Sequence, residues 1–166
     1  MESKKIDIID KQIIKLLSSD GRMPAKEIAK NLDVSAPTIK SRVRSLIDRG
    51  ILKVAGMVDT FKIKDMLVAI IAIRVDDNGK MGQVIEQLME FENVHWAVAV
   101  TGRYDIFAEV IVTEGIEWMF QFYEEEMSKI ESISHAESFM VTNSQRKWTL
   151  LPPHIKGWLP EQRKNV

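Results

Sequence analysis

Hydrophobic residues between positions 22 and 50 recur at helical spacing in two short runs that a polar turn separates. The apolar positions are Ile28, Ala29 and Leu32 in the first run, and Ile39, Val43, Leu46 and Ile47 in the second. Asn31 and Asp33 are typical turn residues, Ser35 is a favourable N-cap, and Gly50 is suited to end the second helix. The pattern predicts two short helices joined by a tight turn.

The opposite face of the second predicted helix is polar and basic. It carries Pro37, Thr38, Lys40, Ser41, Arg44 and Ser45, with Arg42 near its boundary. A helix of this kind fits the major groove of double-stranded DNA. With a further predicted helix from Lys5 to Leu17, residues 1–50 are interpreted as a helix-turn-helix DNA-binding headpiece.

The candidate DNA contacts divide into residues that read bases and residues that hold the backbone. The base-reading candidates are Pro37, Thr38, Ser41 and Arg44, and the residues that could contact bases or phosphates are Lys40 and Arg42. The phosphate-contact candidates are Arg22, Lys26 and Arg49, and the candidate at the start of the helix is Ser35. Arginine pairs bidentately with guanine, which favours Arg44 as a base reader. The alternative is that these positions are the solvated face of an ordinary surface helix.

From residue 65 the pattern changes to alternating strands and helices. Strand signals lie at 65–75, 94–101, 104–112 and 132–142, and helical signals lie at 80–91 and 115–130. This order is β-α-β-β-α-β, which predicts an α+β fold with a ferredoxin-like domain at 65–142. Residues 51–64 are predicted as an extended strand and linker, and residues 143–166 as an apolar, proline-containing C-terminal extension.

The first predicted strand is apolar on both faces. Two helices cover only one face of a small sheet, and a solvated face normally alternates apolar and polar residues. A homodimer formed through the uncovered face is therefore expected, with the C-terminal extension as the competing cover.

Composition excludes several classes of protein. The chain has no cysteine, which excludes a disulfide framework and a thiolate metal site. The apolar run from Met66 to Ile73 is too short to span a membrane, and the N-terminus has no signal-peptide pattern. No metal, cofactor or membrane partner is expected, and the cytoplasm is the expected compartment.

The net charge of −1 hides a division along the chain. Residues 1–60 carry a net charge of +4, residues 61–142 one of −9, and residues 143–166 one of +4. A basic headpiece followed by an acidic domain would direct DNA towards the headpiece.

Three segments of the chain carry a family resemblance: IDIIDKQIIKLLSSDGR (6–22), KEIAKNLDVSAPTIKSRVRSLIDRGIL (26–52) and VTGRYDIFAEV (100–110). They resemble the Lrp/AsnC family, the leucine-responsive and asparagine (feast/famine) regulators. The resemblance covers roughly residues 4–142 and implies a bacterial or archaeal transcription regulator. It also implies sheet-to-sheet dimers that assemble into octamers or other higher oligomers. The extension after 142 departs from the usual end of the family.

The resemblance further implies a small-molecule effector, commonly an amino acid, bound between dimers near the central hairpin and the last strand. The candidate residues are Thr101, Gly102, Arg103, Tyr104 and Asp105 in the hairpin, and Ser138, Met140 and Thr142 on the last strand. Gly102 permits positive φ and exposes backbone N–H groups to a carboxylate, while Asp105 or Glu109 could receive an ammonium group. The alternative is a structural hairpin in an interface.

One enzymatic alternative uses the same fold. Some relatives are sirohaem decarboxylases, which depend on histidines. The three histidines here, His95, His135 and His154, show no ligand-like spacing, and the basic face of the headpiece is intact. We therefore expect a regulator and no catalytic residues.

Overall fold

Three helices form the first of the two units seen in the computed structural model, which describes residues 5–113, 115–145, 148–153 and 155. The first unit is Met1–Gly56 and the second is Met57–Val166. The helices of the first unit are α1 (Ile8–Ser19), α2 (Ala25–Leu32) and α3 (Ala36–Asp48). Their core contains Ile13, Ile28, Ile39 and Leu46, each at most 1% exposed. Ile47, which was predicted to be buried, is 44% exposed, because the apolar stripe of α3 is narrower than its sequence indicates.

The turn between α2 and α3 is short because its residues supply the required backbone conformations. Asp33 ends α2 in the left-handed region with φ 52°, and Ser35 caps α3 by accepting a hydrogen bond from the Thr38 N–H. Gly50 has φ 67°, a conformation that suits glycine just after a helix. The helix-turn-helix prediction is therefore confirmed.

A four-stranded antiparallel sheet forms the centre of the second unit. Its strands are β1 (Leu67–Val75), β2 (Val94–Ala99), β3 (Ile106–Val112) and β4 (Ile133–Met140), in the spatial order β2-β3-β1-β4. Helices α4 (Met81–Glu90) and α5 (Glu117–Gln121) complete the β-α-β-β-α-β order. The predicted α+β, ferredoxin-like fold is confirmed.

One face of the sheet forms the core with the two helices. Ile71 and Ile73 are completely buried there against Leu88 of α4 and Met119 of α5. This arrangement removes the apolar side of both helices from water, which is the main stabilising contribution to such a layered fold.

The second helix of this unit differs from its prediction. A continuous helix was expected over 115–130, but α5 ends at Gln121 and is followed by a π-helical turn, Phe122–Glu126, and a 3-10 turn, Met127–Lys129. Phe122 and Met127 are both buried although they are five positions apart. The wider π turn brings such a pair onto one face, which a regular α-helix would not do.

The predicted strand at 51–59 is reduced to a single bridge. Val58 and Thr149 exchange two backbone hydrogen bonds of 2.9 Å, and a 3-10 turn, Thr60–Lys62, follows. Thr149 and Pro152 of the C-terminal extension are buried, whereas His154 and residues 156–166 lie outside the described residues. Within the described residues, no helix has the length and apolar character needed to cross a membrane.

Candidate nucleic-acid interface and effector region

The exposed face of α3 brings together most of the predicted base-reading residues. Pro37, Thr38, Lys40, Ser41 and Arg44 are all exposed. They lie opposite the buried Ile39 and Leu46, so the packing of α3 directs them to solvent. The Arg44 side chain is 85% exposed, and its Nε lies 3.8 Å from Oδ2 of Asp48. A surface pair of this kind contributes little to stability and leaves the guanidinium accessible.

The N-terminus of α3 is organised by two hydroxyl groups. Ser35 Oγ lies 2.7 Å from Thr38 Oγ1 and also accepts the Thr38 N–H at 3.3 Å. Ser35 therefore serves chiefly as a cap, and the Thr38 side chain is held in place at the start of the exposed face. Arg22 and Lys26 are exposed on α2 and the turn before it, as backbone-contacting residues would need to be.

Two of the predicted DNA contacts are instead directed towards α1. Arg42 Nη1 lies 2.6 Å from Asp7 Oδ2 and 2.9 Å from Asp10 Oδ1. Arg49 Nη2 donates a hydrogen bond to the carbonyl of Lys5 at 3.1 Å. The two carboxylates on Arg42 Nη1 favour a role for Arg42 in positioning α3 over a direct DNA contact. The bond from Arg49 to Lys5 uses one of five guanidinium N–H donors, so a phosphate contact by Arg49 stays a prediction. Sequence periodicity missed this because Asp7 is distant in the chain.

The central hairpin, between β2 and β3, contains both exposed residues and a residue that is hydrogen-bonded to β1. Thr101, Gly102 and Arg103 are exposed, and Gly102 has φ 133°. Asp105 is held within the fold: its Oδ2 accepts the Val75 N–H at 2.9 Å, and its own N–H donates to the Ile73 carbonyl. This use of its carboxylate competes with the predicted role of receiving an ammonium group.

Tyr104 connects the hairpin to β4. Its hydroxyl donates a hydrogen bond to the carboxylate of Glu137, and the Arg103 guanidinium carbon lies 5.5 Å from the Tyr104 ring centroid. The hydrogen bond to Glu137 is the main reason that the pKa of Tyr104 is raised above its usual value. Glu137 was not among the sequence candidates, because only strand register brings it close to the hairpin.

The last-strand candidates are not all near the hairpin within one protomer. The hairpin meets β1 at Ile73, whereas Met140 pairs with Ala69 towards the other end of β1, and Thr142 lies beyond it. Ser138 is occupied by a 2.6 Å hydrogen bond to the Tyr123 hydroxyl. One protomer therefore does not bring the hairpin together with Met140 and Thr142.

The middle of the sheet face opposite the helices is apolar around the buried Glu109, whereas Arg74, His135 and Glu137 lie on the same face towards the hairpin. Ile70 lies between Glu109 of β3 and Phe139 of β4, and Val98 and Phe139 are 44% and 46% exposed. Glu109 is only 1% exposed and lies 2.9 Å from Nδ1 of His95. This pairing gives His95 a structural partner. It also competes with the predicted role of Glu109, which was to receive the ammonium group of an effector. Among the described residues, no cluster of acids and histidines could hold a metal.

Comparisons with known protein families match both units in the order seen here. A winged helix-turn-helix DNA-binding model matches residues 6–53, and an Lrp/AsnC ligand binding domain model matches residues 68–148. An HTH-type transcriptional regulator from Pyrococcus horikoshii is 36% identical over 145 residues, which is 87% of this chain and 90% of that protein. The regulatory protein AsnC of Haemophilus influenzae is 35% identical over 107 residues, covering 64% of this chain and 71% of AsnC.

The chain belongs to the Lrp/AsnC family. Solved structures share the fold at lower identity: Escherichia coli AsnC has a TM-score of 0.71 at 24% identity, covering 88% of this chain and 98% of that one. A Neisseria meningitidis transcriptional regulator, solved as a complex with L-Met, has a TM-score of 0.71 at 20% identity over 87% and 94% of the two chains.

Membership of the Lrp/AsnC family establishes the general function. The chain is a DNA-binding transcriptional regulator of the Lrp/AsnC type. Its family and relatives are regulators, which favours this function over the sirohaem-decarboxylase alternative.

Proposed function

We propose that this Lrp/AsnC regulator reads a pseudo-palindromic DNA site as a homodimer, with the exposed face of α3 in the major groove. The observation that carries the proposal is that Thr38, Ser41 and Arg44 share this face while the apolar side of α3 is buried. The surrounding positive charge, which attracts DNA phosphates, comes from Lys40, Arg22 and Lys26. Because its target is DNA, we propose the cytoplasm as its compartment.

Dimerisation through the face of the sheet opposite the helices would place two headpieces on one DNA site. The exposed apolar side chains of Val98 and Phe139 support this arrangement, because burying them removes apolar surface from water. A two-fold dimer binds two half-sites about one helical turn, or a multiple, apart. The family resemblance adds the expectation that these dimers assemble into octamers or related oligomers.

A small effector, an amino acid, would act between protomers. Thr101, Gly102 and Arg103 are exposed, and backbone N–H groups in such a turn can bind a carboxylate. The relative from Neisseria meningitidis was solved with L-Met. Since Met140 and Thr142 lie far from the hairpin in one protomer, all these residues can share one ligand only if they come from different protomers. An effector bound between protomers would shift the equilibrium between two oligomeric assemblies. The size of the shift is set by the difference in its affinity for the two assemblies.

Binding to a randomised duplex pool at two salt concentrations tests the DNA-reading proposal. We expect retained duplexes to be enriched in one pseudo-palindrome, with affinity that falls steeply as salt rises. Retention without enrichment would indicate an architectural DNA binder and would contradict sequence-specific reading by α3.

Thermal shift measurements with the twenty common amino acids test the effector proposal separately. We expect at least one amino acid to raise the Tm of the full-length protein, and Arg103→Ala to reduce that shift. Arg103 is exposed, so its replacement should leave the fold intact. If no amino acid changes the Tm, the amino-acid proposal fails while DNA binding remains.

A further inference from the structure

The C-terminal extension pairs with the segment that leads into the second unit. The backbone N–H groups of Val58 and Thr149 each donate to the carbonyl of the other residue at 2.9 Å, which is the pattern of a hydrogen-bonded antiparallel pair. Thr149 is completely buried, and Pro152, further along the extension, is also buried. We call the bridge between Val58 and Thr149 the clasp.

The two residues of the clasp lie outside the segments that match the family models. Those models cover residues 6–53 and 68–148, so Val58 precedes the second segment and Thr149 follows it. Both residues belong to the second unit, which begins at Met57. The family match therefore does not account for the clasp.

The clasp joins the start of the second unit to a distant part of the chain. The other bonds of this segment are local: the Asp59 side chain accepts the Phe61 N–H at 3.2 Å, and Oδ2 of Asp59 lies 3.3 Å from Nζ of Lys62. Such bonds between near neighbours shape the 3-10 turn Thr60–Lys62 without tying it to another element. The clasp is thus the contact that attaches the chain at Val58 to the C-terminal extension.

The clasp keeps the connection between the two units short. Gly56 ends the first unit and the clasp holds Val58, so one residue, Met57, lies between them. If the clasp opened, residues 58–66 could extend before β1 begins at Leu67. At roughly 3.3 Å per residue, this segment would add up to about 30 Å of reach. That length is close to one turn of B-DNA, ~34 Å, which is the separation of half-sites read by a two-fold dimer.

We propose that the clasp sets the half-site spacing that the dimer accepts, by keeping the connection to each headpiece short. The inference rests on the proposed reading of a pseudo-palindrome by a dimer. A short connection favours one separation of the two headpieces, whereas a longer flexible one permits several separations at a lower effective concentration. Val58 and Thr149 are thus positioning residues that act through the linker.

Three forms of the protein test this role. They are the full-length chain, a form ending at residue 147, which lacks Thr149, and a form ending at residue 155, which keeps Thr149 and removes only residues 156–166. Each form is titrated with the duplex selected from the randomised pool, and with the same duplex carrying about five extra base pairs, half a helical turn, between its half-sites. We expect the insertion to weaken binding at least about tenfold for the full-length chain and for the form ending at 155, because one headpiece then loses its tethered site. For the form ending at 147 we expect a loss of about threefold or less, because its longer connection lets both headpieces bind.

Limited digestion with trypsin measures the clasp without DNA. Lys62 is exposed on the 3-10 turn after the clasp, and Lys53 is exposed in the first unit before it. We expect cleavage after Lys62, relative to cleavage after Lys53, to be faster in the form ending at 147 than in the other two forms. Thr149→Pro in the full-length chain should have the same effect, because proline has no N–H to donate, and it replaces the form ending at 147 if that form does not fold.

Each contrary result overturns a different part of the inference. If the full-length chain selects no paired half-sites, the dimeric reading on which the inference rests is wrong. Equal relative cleavage after Lys62 in all forms overturns the clasp itself. Faster cleavage with an unchanged response to the insertion overturns its role in half-site spacing. A relaxed response in the form ending at 155 would assign the effect to residues 156–166 and overturn the assignment to Val58 and Thr149.

Discussion

Nη1 of Arg42, in the middle of α3, lies 2.6 Å from Oδ2 of Asp7, the residue that caps α1. The same nitrogen lies 2.9 Å from the buried Asp10, which completes a capping box with Asp7. An arginine that sequence periodicity places near the DNA-facing side of α3 thus joins α3 to the N-terminus of α1. We therefore expect a substitution of Arg42 to affect DNA binding by changing the position of α3 relative to α1.

Replacing Arg42 should lower stability without removing a phosphate contact. We expect Arg42→Met to lower the Tm, because Asp10 then loses a charged partner in a buried position. At a temperature where the variant remains folded, the slope of log affinity against log salt should match that of wild type. Melting followed by circular dichroism and a salt series of binding isotherms measure both effects.

The matched control is Arg22→Met. The Arg22 side chain is 98% exposed, so its loss should leave the Tm unchanged. As a phosphate contact present once in each protomer of the dimer, it should reduce the salt slope by about 1.8, which is about 0.9 for each contact. A reduced slope for Arg42→Met would contradict the assignment of Arg42 to α1.

Acid should weaken the headpiece through Asp7. The backbone N–H of Asp10 and then the guanidinium of Arg42 hold the pKa of Asp7 below its usual value. A depressed pKa stabilises the folded state at pH values above the unfolded pKa, and this contribution is lost as pH falls through the folded pKa. Denaturant unfolding of wild type should therefore show a loss of stability below about pH 4.

Asp7→Asn provides the comparison for the pH series. It should be less stable than wild type at neutral pH, and the difference between the two proteins should shrink as the pH falls below about 4. A difference that stays constant across this range would show that the Asp7 charge does not contribute.

Base discrimination should depend on Arg44. Because its side chain is 85% exposed, Arg44→Ala should leave the Tm near that of wild type. If Arg44 pairs with guanine, the variant should lose about 1–3 kcal/mol of discrimination at one base position of each half-site. Competition binding with single-base operator variants measures this, and unchanged selectivity would exclude Arg44 as a base reader.

Charge on the face of the sheet opposite the helices should prevent dimer formation. Phe139→Glu introduces a carboxylate at a half-exposed apolar position beside Ile70, where burial in a dimer would leave it without a partner. We expect the mass from light scattering to fall to that of the monomer. Phe120→Glu, on α5, is the control and should keep the wild-type mass, whereas a dimer of Phe139→Glu would rule out this interface.

The helix-turn-helix and the β-α-β-β-α-β order follow from residue patterns along the chain. Ile39, Val43 and Leu46 repeat at helical spacing within α3, and Asp33, Ser35 and Gly50 have the local conformations that turns and caps require. Apolar strands and helices in the second unit likewise follow periodicity, because burial of one face imposes a fixed spacing. These features are local, so neighbouring residues carry the information.

Which polar side chains remain available for binding depends on contacts between elements that are distant in the chain. Arg42 pairs with Asp7, Asp105 accepts the Val75 N–H, and Tyr104 donates to Glu137, all between residues distant in the chain. The π turn after α5 has the same origin, since the positions of Phe122 and Met127 are set by the core. Periodicity shows which face a residue occupies, but the partner it finds there depends on packing between elements, which spacing along the chain does not encode.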